Sequence, residues 1–358
     1  MNTWFPEIKK NFGFGCMRLP MVGDKVDIPQ TTKMVDTFLE RGFNYFDTAH
    51  GYINGQSETA LKECLTSRYP RESYVLTNKL SGNFFDKGEQ IRPLFQAQLD
   101  ACGVEYFDFY LMHAMNKNGH KAYQEMGAYD IAQELKAEGK IRHMGISFHD
   151  TAEVLDKILT DRPDIEIVQI QYNYVDYSDP IIQSKQCYEV CKKHGKPVIV
   201  MEPVKGGSLV NLPPKALDLM KDSPASYAIR FAADPEGMVM VLSGMSTQEQ
   251  MEDNLRYMAD FRHLTEEELD IIDRVRTIYQ GQHRIPCTAC RYCVDGCPAG
   301  IPIPELFAAL NEYRREKRSD TDGFAQAADC LECGQCEEIC PQHLHIRELL
   351  KEVANTAK

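Results

Sequence analysis

The chain has 358 residues, 43% of them apolar and 26% charged, the make-up of a globular protein with room for one large domain and a small one. Its formal net charge of −13 argues against the basic surface that nucleic-acid binding needs, so no nucleic-acid partner is expected. No apolar run is long enough to span a bilayer and Met1–Lys10 lacks a signal-like core, so no membrane association and a cytoplasmic location are expected.

Residues 12–262 alternate short β-rich runs with stretches whose apolar residues recur every three to four positions. The runs are Phe12–Met17, Tyr45–Thr48, Tyr74–Lys79, Asp108–His113, Ile141–Ser147, Ile167–Asn173, Pro197–Pro203 and Met238–Gly244. Helices are predicted at Thr31–Arg41, Glu58–Leu65, Gln90–Cys102, Tyr123–Glu138, Ala152–Leu159, Ile181–His194, Ala225–Ala233 and Gln248–Asp260. Ser57 and Thr151 stand where helices start, and Gly103, Gly139 and Gly195 where they stop. Eight strand–helix units predict an α/β fold, a (β/α)8 TIM barrel. A doubly wound sheet is the weaker alternative, because no G-x-G-x-x-G follows any strand. After a helix over Glu266–Tyr279 the pattern stops. The expected domains are a barrel at 1–265 and a C-terminal helix with a small, mostly α-helical module at 266–358, including a helix over Ile303–Lys317.

A barrel of this kind builds its active site at the C-terminal ends of its strands. Those ends carry Asp47, Lys79 and His113, with Tyr52 on the loop after Asp47. Each alone has an ordinary structural explanation: a turn cap, a solvated strand end, a histidine bonded to a backbone carbonyl. Four polar groups of distinct chemistry at adjacent strand ends form a candidate catalytic set. Tyr172, Asn173 and Tyr174 are candidates for either the pocket or packing. Cys16, Cys64, Cys102, Cys187 and Cys191 read as small buried hydrophobes.

Eight of the thirteen cysteines fall in two copies of one pattern. Cys287, Cys290, Cys293 and Cys297 precede Pro298, and Cys330, Cys333, Cys336 and Cys340 precede Pro341. Each reads C-x2-C-x2-C-x3-C-P, the spacing of bacterial iron–sulfur ligation. Close spacing lets one turning loop present three sulfurs, while the fourth cysteine of each run is a candidate ligand of the other cluster. Two 4Fe-4S clusters are expected. Zinc is the alternative occupant, disfavoured by the terminal C-x3-C-P.

The segments GFGCMRLP (13–20), GFNYFDTAHGY (42–52), VLTNK (75–79), FYLMH (109–113) and SGMSTQEQMEDN (243–254) resemble the aldo-keto reductase superfamily, in order and spacing. With the cysteine-rich tail, the chain resembles the iron–sulfur-containing branch of that family. The resemblance implies a catalytic tetrad of Asp47, Tyr52, Lys79 and His113. It implies nicotinamide contacts at Ser147, Gln169 and Met201, although Met201 stands where the family has a stacking aromatic and Phe148 where it has asparagine. The KGGSL loop (Gly206, Gly207, Leu209) looks like the family's pyrophosphate cover. Gly244, Ser246, Gln250 and Asn254 look like its adenosine-phosphate contacts. The Lys/Arg version that grips a 2′-phosphate is absent, so the expected cofactor is NADP(H) or NAD(H).

The expected function is hydride transfer between nicotinamide and a small carbonyl or alcohol substrate, with an appended electron-transfer module and a ferredoxin-like or other redox partner. The competing expectation is a nucleotide-sensing scaffold or docking protein in which the clusters are the main function. The complete tetrad argues against it, because a sensor needs no acid/base group.

Overall fold

The computed structural model describes residues 4–316, 321 and 323–356. The chain divides into two compact units, Met1–Pro203 with Ala225–Thr265, and Val204–Pro224 with Glu266–Lys358. Val204–Pro224, within the range 1–265 expected for the barrel, groups by packing with the second unit.

All eight predicted barrel strands form, in the first unit. They are β1 (Phe12–Gly15), β4 (Tyr45–Asp47), β5 (Val75–Leu80), β6 (Phe107–Met115), β7 (Ile141–Phe148), β8 (Ile167–Gln171), β9 (Val198–Met201) and β10 (Met238–Ser243). A short antiparallel hairpin, β2 (Met21–Val22) and β3 (Lys25–Val26), was not foreseen. The eight strands pair in parallel into a closed barrel, with β1 bonded to both β10 and β4. Every residue of β4, β5, β8 and β10 is buried, as expected of strands covered on both faces.

The interior is plugged from the N-terminal arm. Phe5 and Ile8 join Tyr45, Phe109, Leu111, Ile167 and Ile199 in one buried cluster. Phe5 meets the Phe109 ring edge-on at 5.0 Å. Phe109 lies early in β6, so the plug fills the N-terminal end of the strands and leaves the C-terminal end for chemistry.

Two local predictions need correction. The helix predicted over Tyr123–Glu138 is two helices, Lys117–Glu125 and Ala128–Ala137. Gly127, at φ 67°, takes a left-handed conformation between them that a side chain disfavours. Ser57 is no cap. It lies inside the helix Gln56–Leu61, where its Oγ bonds Thr48 Oγ1 at 2.7 Å and donates to the Cys16 carbonyl at 2.9 Å.

The second unit is helical, with no strand among its described residues. The helices Ile303–Glu316 and Ile346–Thr356 enclose a core of Phe307, Leu310, Phe324, Leu350 and Val353. Lys317, the last residue of the predicted helix, lies outside the described residues. The cysteine repeat is also a backbone repeat. Left-handed residues recur at Ala289 and Glu332, at Arg291 and Gly334, and at Gly300 and His343, the same offsets within each run. A one-turn helix follows in each, Tyr292–Asp295 and Gln335–Glu338.

Candidate active site and cluster cavities

The register of the sheet gathers Asp47, Lys79 and His113 from three neighbouring strands, with Tyr52 on the loop after β4. Asp47 pairs with Thr77 across β4 and β5. Lys79, two residues on, points to the same side because side chains alternate along a strand. Lys79 Nζ therefore reaches Asp47 Oδ1 at 2.6 Å and the Thr48 carbonyl at 2.8 Å, and its side chain is fully buried. The ammonium lies 4.8 Å from the centre of the Tyr52 ring. His113 stands edge-on to that ring, with centroids 5.9 Å apart.

His113 is aimed by an irregularity. Met112 pairs with Ile146 and Met115 with Phe148, so β6 has one residue more than β7 across this stretch. Ala114 takes φ 55° within that bulge, the kind of device that turns a side chain at a barrel rim. The Ala114 N–H, displaced from the ladder, donates to Ser147 Oγ at 2.9 Å.

Burial raises the Asp47 carboxyl above its usual range, while Lys79 and a contact from Gln169 Nε2 at 3.5 Å pull it back. The 2.6 Å geometry with Lys79 is that of an ion pair, and we read Asp47 as the carboxylate that keeps Lys79 charged and aimed. Burial drives His113 well below the ordinary imidazole range, and the nearby Lys79 and His149 add to it. His113 is therefore neutral at pH 7 and acts as a hydrogen-bonding group rather than a cation.

Sequence reasoning missed Ser81. Its Oγ lies 2.6 Å from His113 Nδ1, and with Ser81 donating, the imidazole carries its proton on Nε2. The signal was available: Ser81 is a polar residue directly after the end of β5, two residues past Lys79. Glu58 was also missed. Buried at 1% exposure, it accepts from Asn78 Nδ2 and bonds His50 Nδ1, both at 2.8 Å. Asn78 Oδ1 in turn accepts the Lys79 N–H at 2.8 Å and Gln98 Nε2 at 3.1 Å. A buried polar scaffold thus stands behind the lysine.

The candidate nucleotide contacts are less evenly gathered. Gln169 faces Asp47, and Ser147 pairs with Gln169 across β7 and β8. Met201 ends β9, half-buried. Gly244 and Ser246 follow β10; Ser246 Oγ donates to the Arg18 carbonyl at 2.8 Å and its N–H to Gln250 Oε1 at 2.8 Å. Asn254 is engaged within the protein, donating to Ser243 Oγ at 3.0 Å and accepting from the Tyr257 hydroxyl at 2.6 Å. Gly206, Gly207 and Leu209 belong to the second unit. Tyr172, Asn173 and Tyr174 are buried, each 2% exposed or less.

The second unit holds two cysteine-lined cavities. One is ringed by Cys287, Cys290, Cys293 and Cys340. The other is ringed by Cys297, Cys330, Cys333 and Cys336. Each takes three sulfurs from one run and the fourth from the other, the arrangement of two-cluster ferredoxins. Among the described residues no three His, Cys, Asp or Glu side chains converge as for a single ion. Four cysteine sulfurs line each cavity, three of them at C-x2-C-x2-C spacing, the donor set of cubane ligation. The donor set therefore fits 4Fe-4S clusters. Burial pushes the Cys340 thiol up, partly offset by the backbone N–H groups of Leu344, Gln342 and His343; such bonds to ligand sulfur tune cluster potential.

The aldo/keto reductase family model matches residues 11–277, about three-quarters of the chain. The chain belongs to the aldo/keto reductase family. A 4Fe-4S dicluster domain follows at 286–344, so this aldo/keto reductase is an oxidoreductase of the iron–sulfur-containing type. It is 29% identical over 196 residues to an NADH-specific methylglyoxal reductase of Escherichia coli, covering 49% of this chain and 57% of that protein. It is 25% identical over 272 residues to a 9,11-endoperoxide prostaglandin H2 reductase of Trypanosoma cruzi, covering 72% and 88%. An aldo-keto reductase from Klebsiella pneumoniae, solved in complex with NADPH, superposes with a TM-score of 0.61 at 20% identity, covering 74% of this chain and 90% of that one. The last likeness concerns the fold. Among the described residues no helix is long and apolar enough to cross a membrane.

Proposed function

We propose that this aldo/keto reductase is an NAD(P)(H)-dependent reductase of small aldehydes and ketones, with residues 1–265 as the catalytic domain and residues 266–358 as a module for two 4Fe-4S clusters. The observation that carries the reading is the buried Lys79–Asp47 pair beneath the Tyr52 ring, with a neutral His113 alongside. A bound nicotinamide would supply the hydride, for which Ser147, Gln169 and Met201 are the proposed contacts.

The residues of the chain account for the rest. Reduction leaves negative charge on the substrate oxygen, which must be stabilised and protonated. Tyr52 donates its phenolic proton to that oxygen. The Lys79 ammonium favours the phenolate left behind, which makes an otherwise reluctant phenol an adequate acid. Asp47 holds Lys79 in place. His113, its Nδ1 engaged by Ser81, presents Nε2–H to the carbonyl oxygen and orients it. In the oxidative direction Tyr52 acts as the base.

The relatives support small carbonyl substrates, and the E. coli protein makes methylglyoxal a natural first compound. The choice between NADP and NAD turns on Gly244, Ser246, Gln250 and Asn254, none of which brings a cation for a 2′-phosphate. Nicotinamide moves two electrons and clusters move one, so the two chemistries are not joined without a converter. The exposure of Cys333 and of Leu331, at 69%, supports one-electron exchange with a ferredoxin-like partner at that cavity.

The deciding experiment is anaerobic purification followed by NADH and NADPH consumption with a panel of aldehydes and ketones. Tyr52→Phe is expected to cut turnover by ~10²–10⁴-fold while leaving nucleotide binding intact. A protein that binds neither nucleotide, or a Tyr52→Phe variant with full turnover, removes this reading.

A further inference from the structure

The loop after β9 has an unusual backbone. Glu202, Lys205, Gly206 and Gly207 take φ of 55°, 49°, 61° and 92°. Glycine adopts such angles freely, but a lysine does so only where its surroundings hold it there. What surrounds Lys205 and Gly206 is the pair of cysteine runs. A Cβ on Gly206 would lie 2.5 Å from the Thr288 carbonyl oxygen and 2.7 Å from its Cα, so the two backbones are in direct contact. Lys205 Nζ donates to Gln342 Oε1 at 3.2 Å, with Lys205 3% and Gln342 6% exposed. Thr288 is joined to Cys287, and Gln342 is two residues past Cys340. Both line the cavity ringed by Cys287, Cys290, Cys293 and Cys340.

We propose that Thr288 and Gln342 are positioning residues through which occupancy of that cavity by an iron–sulfur cluster sets the order of the Lys205–Leu209 loop, and with it the affinity for nucleotide. The link to nucleotide rests on the reading above, in which this loop covers the cofactor's pyrophosphate. The run carrying Thr288 has one short helix, Tyr292–Asp295, and left-handed residues at Ala289 and Arg291. Ligation of its thiolates supplies the constraint that its own secondary structure does not. Without that constraint Thr288 and Gln342 lose their places. The Lys205 ammonium then loses its bond to Gln342, and the two glycines let the loop relax. Because coupling is reciprocal, bound nucleotide in turn favours the cluster-loaded form.

The test uses the full chain, prepared anaerobically with its clusters. NADPH and NADH are titrated by fluorescence, and amide hydrogen exchange is followed over residues 204–210 and, as a control, 75–80. Removing the clusters with an oxidant and a chelator is expected to weaken nucleotide binding at least about tenfold and to speed exchange in 204–210 but not in 75–80. Gln342→Met, with iron content and visible absorbance retained, should also weaken binding about tenfold and raise the nucleotide KM more than it lowers kcat. Gln342→Glu, which keeps an acceptor oxygen, should restore affinity. Should Gln342→Met lose iron, Gly206→Ala presses on Thr288 without touching a ligand loop side chain and should show the same loss. Unchanged affinity and loop exchange in the cluster-free chain and the variants overturn the proposal. Failure of the untreated chain to bind either nucleotide removes the pyrophosphate reading instead, and the exchange comparison still decides whether the cluster orders the loop.

Discussion

Replacing Asp47 by asparagine removes one charge from a fully buried pair. At 2.6 Å, with an effective dielectric of about 20, Lys79 and Asp47 attract by roughly 6 kcal/mol. Burying the two ions offsets much of that, so the intact pair contributes little net stability. Breaking it is different. Asp47→Asn leaves the Lys79 ammonium, whose side chain is fully buried, with the neutral Thr48 carbonyl as its remaining close acceptor of the pair described. The expected cost is about 3–5 kcal/mol, which in a domain of this size lowers the melting temperature by roughly 6–20 °C. The double variant Asp47→Asn/Lys79→Met removes both charges and should recover much of the loss. Urea unfolding followed by far-UV circular dichroism on cluster-loaded protein measures both. A single variant that loses under about 1 kcal/mol, or a double variant less stable than the single, would show that Lys79 is not held as a buried cation by Asp47.

Ser81→Ala removes the hydroxyl from Nδ1 of His113, and kcat/KM for carbonyl reduction should fall about tenfold, with nucleotide affinity unchanged; an unaltered kcat/KM removes Ser81 from the orienting role. At the opposite end of the barrel, burial works against the His143 cation, but Glu166 and Glu7 outweigh it and bring its pKa up to about 9. A raised folded-state pKa stabilises the protein below the unfolded value of about 6.5 and loses that contribution as pH rises through about 9, by at most about 3 kcal/mol. Glu166, held down to about 2, contributes in the opposite sense, its share being lost as pH falls toward 2. Stability profiles of wild type and His143→Gln should therefore converge at alkaline pH; parallel profiles from pH 6 to 10 would contradict the assignment. For the clusters, Cys293→Ser/Cys340→Ser should cost about half the iron, and Cys293→Ser/Cys297→Ser nearly all of it. The reverse order, with Cys293→Ser/Cys297→Ser keeping about half the iron and Cys293→Ser/Cys340→Ser almost none, would mean that each run binds its own cluster.

Much of the barrel was legible because its signals are local. Alternating β-rich and helical runs mark eight units wherever the chain later folds, and all eight strands appeared within a few residues of their expected places. The helix after β6 was misjudged because apolar spacing continues across Gly127 while the backbone does not. Ser57 resembled a cap because a serine before a helical run usually is one; its hydroxyl instead found Thr48 and the Cys16 carbonyl. Asp47, Lys79 and His113 were recognisable as strand-end polar residues. Ser81 and Glu58, which support them, are common residue types whose roles exist only once β5, β6 and the helix Gln56–Leu61 are side by side.

The sequence by itself determined the cluster chemistry and the strand count, because thiol spacing and hydrophobic period are properties of neighbouring residues. It also offered Asp47, Lys79 and His113, with Tyr52 on the following loop, as a candidate catalytic set, because polar residues closing apolar runs are visible locally. The spacing already offered the fourth cysteine of each run to the other cluster, and the fold places Cys340 with Cys287, Cys290 and Cys293 around one cavity and Cys297 with the second run around the other. Tertiary structure alone brought Gln342 to Lys205, 137 residues away, and set Thr288 against Gly206. Such contacts depend on which surfaces pack after the chain has closed its long loops, and no local pattern of residues encodes that choice.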